Sequence, residues 1–266
     1  MRTSQCGLTA FLAVALFSAG VPAAGLRISP LRLDLSSTRP SSQVELSNIT
    51  AEPVAVQVRA YRWRQDQGED IYEPTKDIFF APPIVTVPAQ GKTSVRLRLR
   101  ANAPDKIENA YRVYFQELPP AKAAPQPGSG MSFRIRFGVP LFVLPPVPVA
   151  PGLKVQVSPQ PDRLRLVLEN TGKAHLKIEG VDLYPSDVDR DKPAAAPVAS
   201  VAQSTKGAGY LLPGTRHDWE LSLPASFDPA AHVLRVRTDE RSGRAGSGLT
   251  KGGWLWQPLV EAAAKP

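Results

Sequence analysis

Three histidines, His175, His217 and His232, and the alternating aspartates Asp187, Asp189 and Asp191 are the side chains whose types could bind a metal or move a proton. No histidine has a cysteine or a second histidine at ligand spacing, and each falls within or beside an expected strand, where structural or surface roles are the ordinary use. The aspartates lack the glycine and the closing glutamate of a calcium loop. No GxSxG, phosphate-cradling glycine loop or HExxH occurs, and no nucleophile has a histidine in a recognisable frame. The expectation is a binding protein that is not an enzyme and uses no cofactor and no metal.

The residues best suited to binding lie in "MSFRIRFGVPLFVLPP" (131–146). Met131, Phe133, Ile135, Phe137 and Val139 alternate with polar, glycine or proline positions, so they share one face of a strand. That face could pack in the chain's own core, or it could fill pockets of another protein to which the strand adds. The lead-in "PPAKAAPQPGSG" reads as a loop that ties the start of the strand only loosely, which favours strand addition.

The elements that must hold this strand are themselves strands. "GLRISPLRLDL", "SQVELSNI", "PVAVQVRAYRW", "IVTVPA", "TSVRLRLRA" and "AYRVYFQEL" are separated by the turn signals "STRPSS", "TAEP", "DQGED" and "PAQGK". About seven short strands in this stretch suit an immunoglobulin-like sandwich. The pattern then restarts. "VELSNITAEPVAVQVRAYRW" (44–63) is echoed by "LVLENTGKAHLKIEGVDLYP" (166–185), and "VPAQGKTSVRLRL" by "LLPGTRHDWELSL". The separations Asn48 to Pro88 (40 residues) and Asn170 to Pro213 (43 residues) nearly match. The repeat points to two related sandwich domains, 25–146 and 147–266, after an N-terminal segment 1–24. Residues 186–209 read as a polar, alanine-rich loop, and Trp254, Leu255 and Trp256 either close an edge of the second domain or anchor a partner.

Residues 7–19 are an uncharged apolar run after Arg2, followed by small residues at Ala23 and Ala24. The run is shorter than the roughly 20 residues of a membrane span, so it reads as a cleaved secretory signal with no stable membrane insertion. The single cysteine, Cys6, lies inside the signal segment 1–24, so the exported chain has no disulfide. The formal charge of +8 in an exported protein argues for acidic partners or a carboxylate ligand and against nucleic acid.

With these residues in view, the sequence resembles the periplasmic chaperones of chaperone–usher pilus assembly. The matching stretches are "ISPLRLDL", "VELSNITAEPVAVQV", "FFAPPIVTVPAQGKTSVRLRL", "YRVYFQELPP" and "FRIRFGVPLFVLPP". The resemblance implies an all-β chain of two immunoglobulin-like domains in a boomerang, working in the periplasm with pilus subunits and an outer-membrane usher as partners. Met131, Phe133, Ile135, Phe137 and Val139 would be donated to the groove of an incomplete subunit, and the exposed strand leaves open a self-capping dimer of the free protein. It also implies that Arg32 anchors the subunit's C-terminal carboxylate. The family's second anchor, a lysine, falls on Pro140, which leaves Arg136 as a substitute, with Arg134 on the same parity. Arg96, Glu108 and Asp228 would set the angle between the domains. The "PLFV" form is similar to the non-classical, spore-coat-U-like subgroup. An exported two-domain adhesin or structural binding module is the alternative.

Overall fold

The computed structural model describes residues 25–100, 102–104, 106–119, 134–190, 196–201, 209–224, 227–239 and 254–259. The expected signal segment 1–24, together with Met131, Phe133 and Asp191, lies outside the described residues.

The first half consists of β1 (Leu26–Ser29), β2 (Leu33–Leu35), β3 (Ser41–Asn48), β4 (Val54–Asp66), β5 (Glu69–Pro74), β6 (Ile78–Ala81), β7 (Ile84–Val87), β8 (Lys92–Leu99), β9 (Asn109–Glu117) and β10 (Arg136–Val143). The second half has β11 (Leu153–Pro159), β12 (Arg163–Asn170), β13 (Leu176–Pro185), β14 (Ala199–Val201), β15 (Tyr210–Leu211), β16 (Arg216–Ser222), β17 (His232–Thr238) and β18 (Trp254–Pro258). Each half is two sheets face to face: β1-β3-β8-β6 against β2-β10-β9-β4-β5 with β7 on β4, then β11-β12-β16 against β14-β13-β17-β18 with β15 on β13. This is the expected all-β architecture of paired immunoglobulin-like sandwiches.

Alternation drives the layering. In β8, Val95, Leu97 and Leu99 enter the first core while Arg96 and Arg98 face solvent. In β12, Leu164, Leu166 and Leu168 do the same for the second core. The two asparagines of the repeat hold equivalent places. The Asn48 side chain donates to the carbonyls of Glu52 (2.7 Å) and Pro88 (3.1 Å), and that of Asn170 donates to those of Ala174 (2.8 Å) and Leu211 (2.9 Å). Each satisfies the backbone of its own turn and of a strand end some forty residues later, so the spacing in the sequence is a packing constraint.

More strands form than the expected seven. The turn at Gln67 (φ 48°) and Gly68 (φ 82°) folds β4 back on β5 as a hairpin, a geometry that favours glycine. Within the expected loop 186–209, Ala199–Val201 pairs with β13. β18 closes the edge of the second half on β17; Leu255 packs toward the core, while the Trp254 and Trp256 rings lie 5.1 and 5.7 Å from the Arg235 guanidinium. A third apolar cluster of Trp63, Ala110, Phe142, Tyr210 and Leu212 joins the two halves.

Candidate functional site

β10 is paired along its whole length on one side only. Toward β9 it is antiparallel from Arg136↔Gln116 to Val143↔Asn109. On the other side β2 runs parallel beside Leu141–Val143 and no further, because the chain preceding β2 crosses into the other sheet, where β1 pairs with β3. Among the described residues, positions 136–140 therefore form an open edge. An open edge presents unpaired backbone donors and acceptors and is a ready template for another strand.

Burial decays along the apolar face of this edge. Val143, Leu141 and Val139 belong to the first core, whereas Phe137 and Ile135 are only partly buried against its rim. Val139, expected among the donated residues, is 2% exposed and is held by its own core, so presenting it to a partner would require unpacking the sandwich. Ile135 and Phe137 keep the expected position at the edge.

The opposite face of the same strands carries a row of basic residues. Arg112 stands directly across from Pro140, and Arg32 precedes Leu33, the partner of Leu141, so two arginines flank the proline. The Arg112 guanidinium is buried over the Trp63 ring at 4.1 Å, with the Tyr72 and Tyr210 rings at 5.9 and 6.0 Å. Its Nη1 donates to the Gly138 carbonyl at 3.3 Å, and its buried Nε has no hydrogen-bond partner among the described residues. Gly138 makes this possible: a Cβ there would sit 2.9 Å from a Tyr114 ring carbon and 3.4 Å from Cδ of Arg112. Burial pushes the Tyr72 and Tyr210 hydroxyls above their ordinary pKa, so the cradle stays neutral around the cation.

Arg32 is differently placed. Its Nε donates to Asp34 at 3.1 Å, and its Nη1 donates at 3.4 Å to Asp239, which follows β17 in the other half. Arg136 does not join this row. It is exposed, and its guanidinium rests 3.8 Å over the Tyr114 ring, four residues along β10 from Pro140. Arg134 is likewise exposed.

The expected trio of Arg96, Glu108 and Asp228 does not assemble. Arg96 is exposed on β8, opposite Gln43 and Ala81 in the far sheet, and Asp228 caps a short 3-10 turn by accepting from the Ala230 amide at 2.9 Å. Glu108 alone reaches the seam, where its partner is His175. Its Oε1 takes the His175 Nδ1 at 2.6 Å and the His175 amide at 3.1 Å, and the imidazole stacks on Phe142 at 3.5 Å. Gln65 completes the seam by donating to the Tyr210 carbonyl and accepting from the Leu212 amide and the Thr215 hydroxyl, each at 2.9 Å. His217 is buried in β16 with neither ring nitrogen hydrogen-bonded among the described residues, and His232 Nδ1 bonds the Asp228 carbonyl at 2.7 Å. No group of three His, Cys, Asp or Glu among the described residues is placed to hold a metal.

Arg112, Gln65 and Asp239 are the residues that sequence reasoning missed; His175, expected in a structural or surface role, stands at the seam. The available signal was the strand parity of Arg112, which becomes informative once the β9–β10 register sets it against Pro140.

Comparison with known proteins supplies a context. The family described as pili and flagellar-assembly chaperone, PapD N-terminal domain, matches residues 25–148. No curated protein matches the sequence. Among solved structures, the chain is similar to one in the CsuC–CsuE chaperone–tip adhesion subunit pre-assembly complex from archaic chaperone–usher Csu pili of Acinetobacter baumannii. The identity is 21%, over 81% of this chain and 93% of that one, with a TM-score of 0.58. It is also similar to a chain of the Salmonella enterica SafA pilin complex with the SafB chaperone (16% identity, 88% and 95% coverage, TM-score 0.53). A third likeness is to the periplasmic chaperone SfaE (12% identity, 87% and 98% coverage, TM-score 0.52). At these identities the likeness is one of fold.

Proposed function

Residues 25–148 belong to the pili and flagellar-assembly chaperone family, and on that premise we propose that this protein is a periplasmic chaperone that caps pilus subunits by lending them β10 and then passes them to an outer-membrane usher. Its action is stoichiometric binding, not catalysis. The apolar run 7–19 supports export with cleavage near Ala23 and Ala24, and Pro140 in "PLFV" supports the non-classical subgroup.

The observation that carries the reading is the open edge at 136–140, with Phe137 and Ile135 half-presented on its apolar face. A subunit strand beside this edge gains backbone hydrogen bonds from β10, and the subunit's groove gains the apolar side chains. Each such side chain is worth about 1.5–3 kcal/mol when fully buried, so Ile135 and Phe137, continued by Met131 and Phe133, suffice to hold an aggregation-prone partner without nucleotide.

Charge selects the direction. A guest strand parallel to β10 lies in line with β2 and ends at Arg32, Pro140 and Arg112, so its C-terminal carboxylate arrives between two guanidiniums. An antiparallel guest would bring a chain amine to the same place. Arg112 takes over from the missing lysine: it stands one strand further in, roughly 5 Å away, and among the described residues no carboxylate pairs with it. A buried arginine without a counter-ion is costly, and a ligand carboxylate relieves that cost.

The test is co-expression in a periplasm with the small exported proteins encoded beside the gene, then purification and mass analysis. A stoichiometric subunit, retained by the wild type and lost from Arg112→Gln, is the expected result. Recovery of no subunit from the complete set of neighbours would overturn the reading, and full retention by Arg112→Gln would remove Arg112 from it.

A further inference from the structure

The Arg32 guanidinium is already occupied by a carboxylate from the other half of the chain. Asp239 Oδ2 lies 3.4 Å from Arg32 Nη1, and the two side chains are 16% and 10% exposed. The Asp239 backbone is fixed independently, its amide donating to the Lys177 carbonyl at 3.0 Å, so the carboxylate is held at the seam by β17 and β13 and not by Arg32 alone. Asp34 accepts from Nε of the same arginine at 3.1 Å. The place where the proposed guest strand delivers its C-terminus thus already contains an anionic group, contributed by the half of the protein that the guest strand does not extend.

We infer that Asp239 is an internal stand-in for the ligand's carboxylate: it occupies Arg32 in the empty protein and is displaced from it by the C-terminal carboxylate of a captured strand. This rests on the reading of the site as a subunit anchor and adds a consequence to it. Displacing Asp239 removes one of the side-chain ties between the halves, so carboxylate capture and loosening of the seam are coupled. By linkage, weakening the tie must in turn raise the affinity for the carboxylate. The seam keeps Gln65, the Glu108–His175 pair and the Trp63–Phe142–Tyr210 cluster, so the halves stay joined while this one contact exchanges.

The experiment titrates the full exported protein with a synthetic dodecapeptide of alternating valine and threonine, prepared with a free C-terminal carboxylate and as the C-terminal amide. Wild type is expected to prefer the acid. Asp239→Asn, close in shape, is expected to bind the acid about threefold to tenfold more tightly, with the amide unchanged, as for loss of one competing part-buried ion pair. Asp239→Glu keeps the charge and is expected to return the acid affinity toward wild type. In an Arg32→Gln background the effect of Asp239→Asn is expected to vanish. If wild type prefers the acid but Asp239→Asn binds it equally or more weakly, Asp239 orients Arg32 and does not compete, and the inference falls alone. If wild type does not distinguish acid from amide, the anchor reading falls and the inference with it.

Discussion

Replacing Ile135 and Phe137 together by serine separates two roles that a strand on its own core's rim has to combine. Both side chains are partly buried in the free protein, so part of their apolar transfer already stabilises the first domain and the rest becomes available when a subunit covers them. Taking about 2 kcal/mol for each full burial and dividing it evenly, the double variant loses about 2 kcal/mol of its own stability and about 2 kcal/mol of binding. At 1.4 kcal/mol per decade, the second loss is about a thirtyfold weaker complex. Val139→Ala is the control: the residue is 2% exposed in the core, so its cost of about 2 kcal/mol falls on stability, with little change in capture. Urea unfolding measures the first quantity, and displacement of labelled wild-type chaperone from a purified subunit measures the second. The reasoning is refuted if the serine pair leaves affinity within about threefold of wild type, or if Val139→Ala weakens capture as much as the pair does.

Glu108→Ala leaves the buried His175 Nδ1 and amide without their shared hydrogen-bond partner at the seam and is expected to cost about 1–3 kcal/mol of stability, with the urea midpoint as the readout; a loss under about 0.5 kcal/mol would show that the pair is not a clasp. His217 is held below its ordinary pKa by burial, which outweighs the pull of Asp70, Asp218 and Glu69. Its folded pKa is depressed, so its protonation favours the unfolded chain: stability is complete above about pH 6.5 and declines as pH falls below that. His217→Leu is therefore expected to flatten the stability profile just below pH 6.5, measured by thermal melts across pH, and an unchanged slope would exclude His217 as its source. Asp182 is pulled up by burial but held below its ordinary pKa by hydrogen bonds from Ser200 and Arg235 and the charge of Arg237, so its contribution is present above about pH 4 and is lost as pH falls through its folded pKa. Asp182→Asn is expected to reduce the acid limb of the same profile, and a steeper limb would contradict this.

Much of this was legible in one dimension. Alternation fixes which residues of β3, β8 and β12 face the cores, and the Asn48 and Asn170 spacings mark a tie repeated in both halves. The edge residues Ile135 and Phe137 follow from the same period of two. What the linear pattern cannot carry is register between distant strands and contact between halves. Val139 has the parity of Phe137 but lies deeper along β10, and parity does not say where the core ends. Arg112 and Pro140 are 28 positions apart and meet only because β9 and β10 pair in one register. Arg96 and Asp228 are expected from a likeness of short motifs, whereas the seam uses His175 and Asp239, the latter on the opposite end of β17 from Asp228. A polar contact between domains leaves no periodic trace, because each partner is chosen by a neighbour far away in the chain.

Backbone hydrogen exchange over residues 134–140, in the free protein and in the complex with a co-purified pilus subunit, tests strand donation most directly. The open edge of β10 should exchange quickly when free and become protected in the complex, while the segment holding Leu141–Val143, already flanked by β2 and β9, changes little. Equal exchange over 134–140 with and without bound subunit would show that the partner is held elsewhere and would contradict the proposed function at its centre.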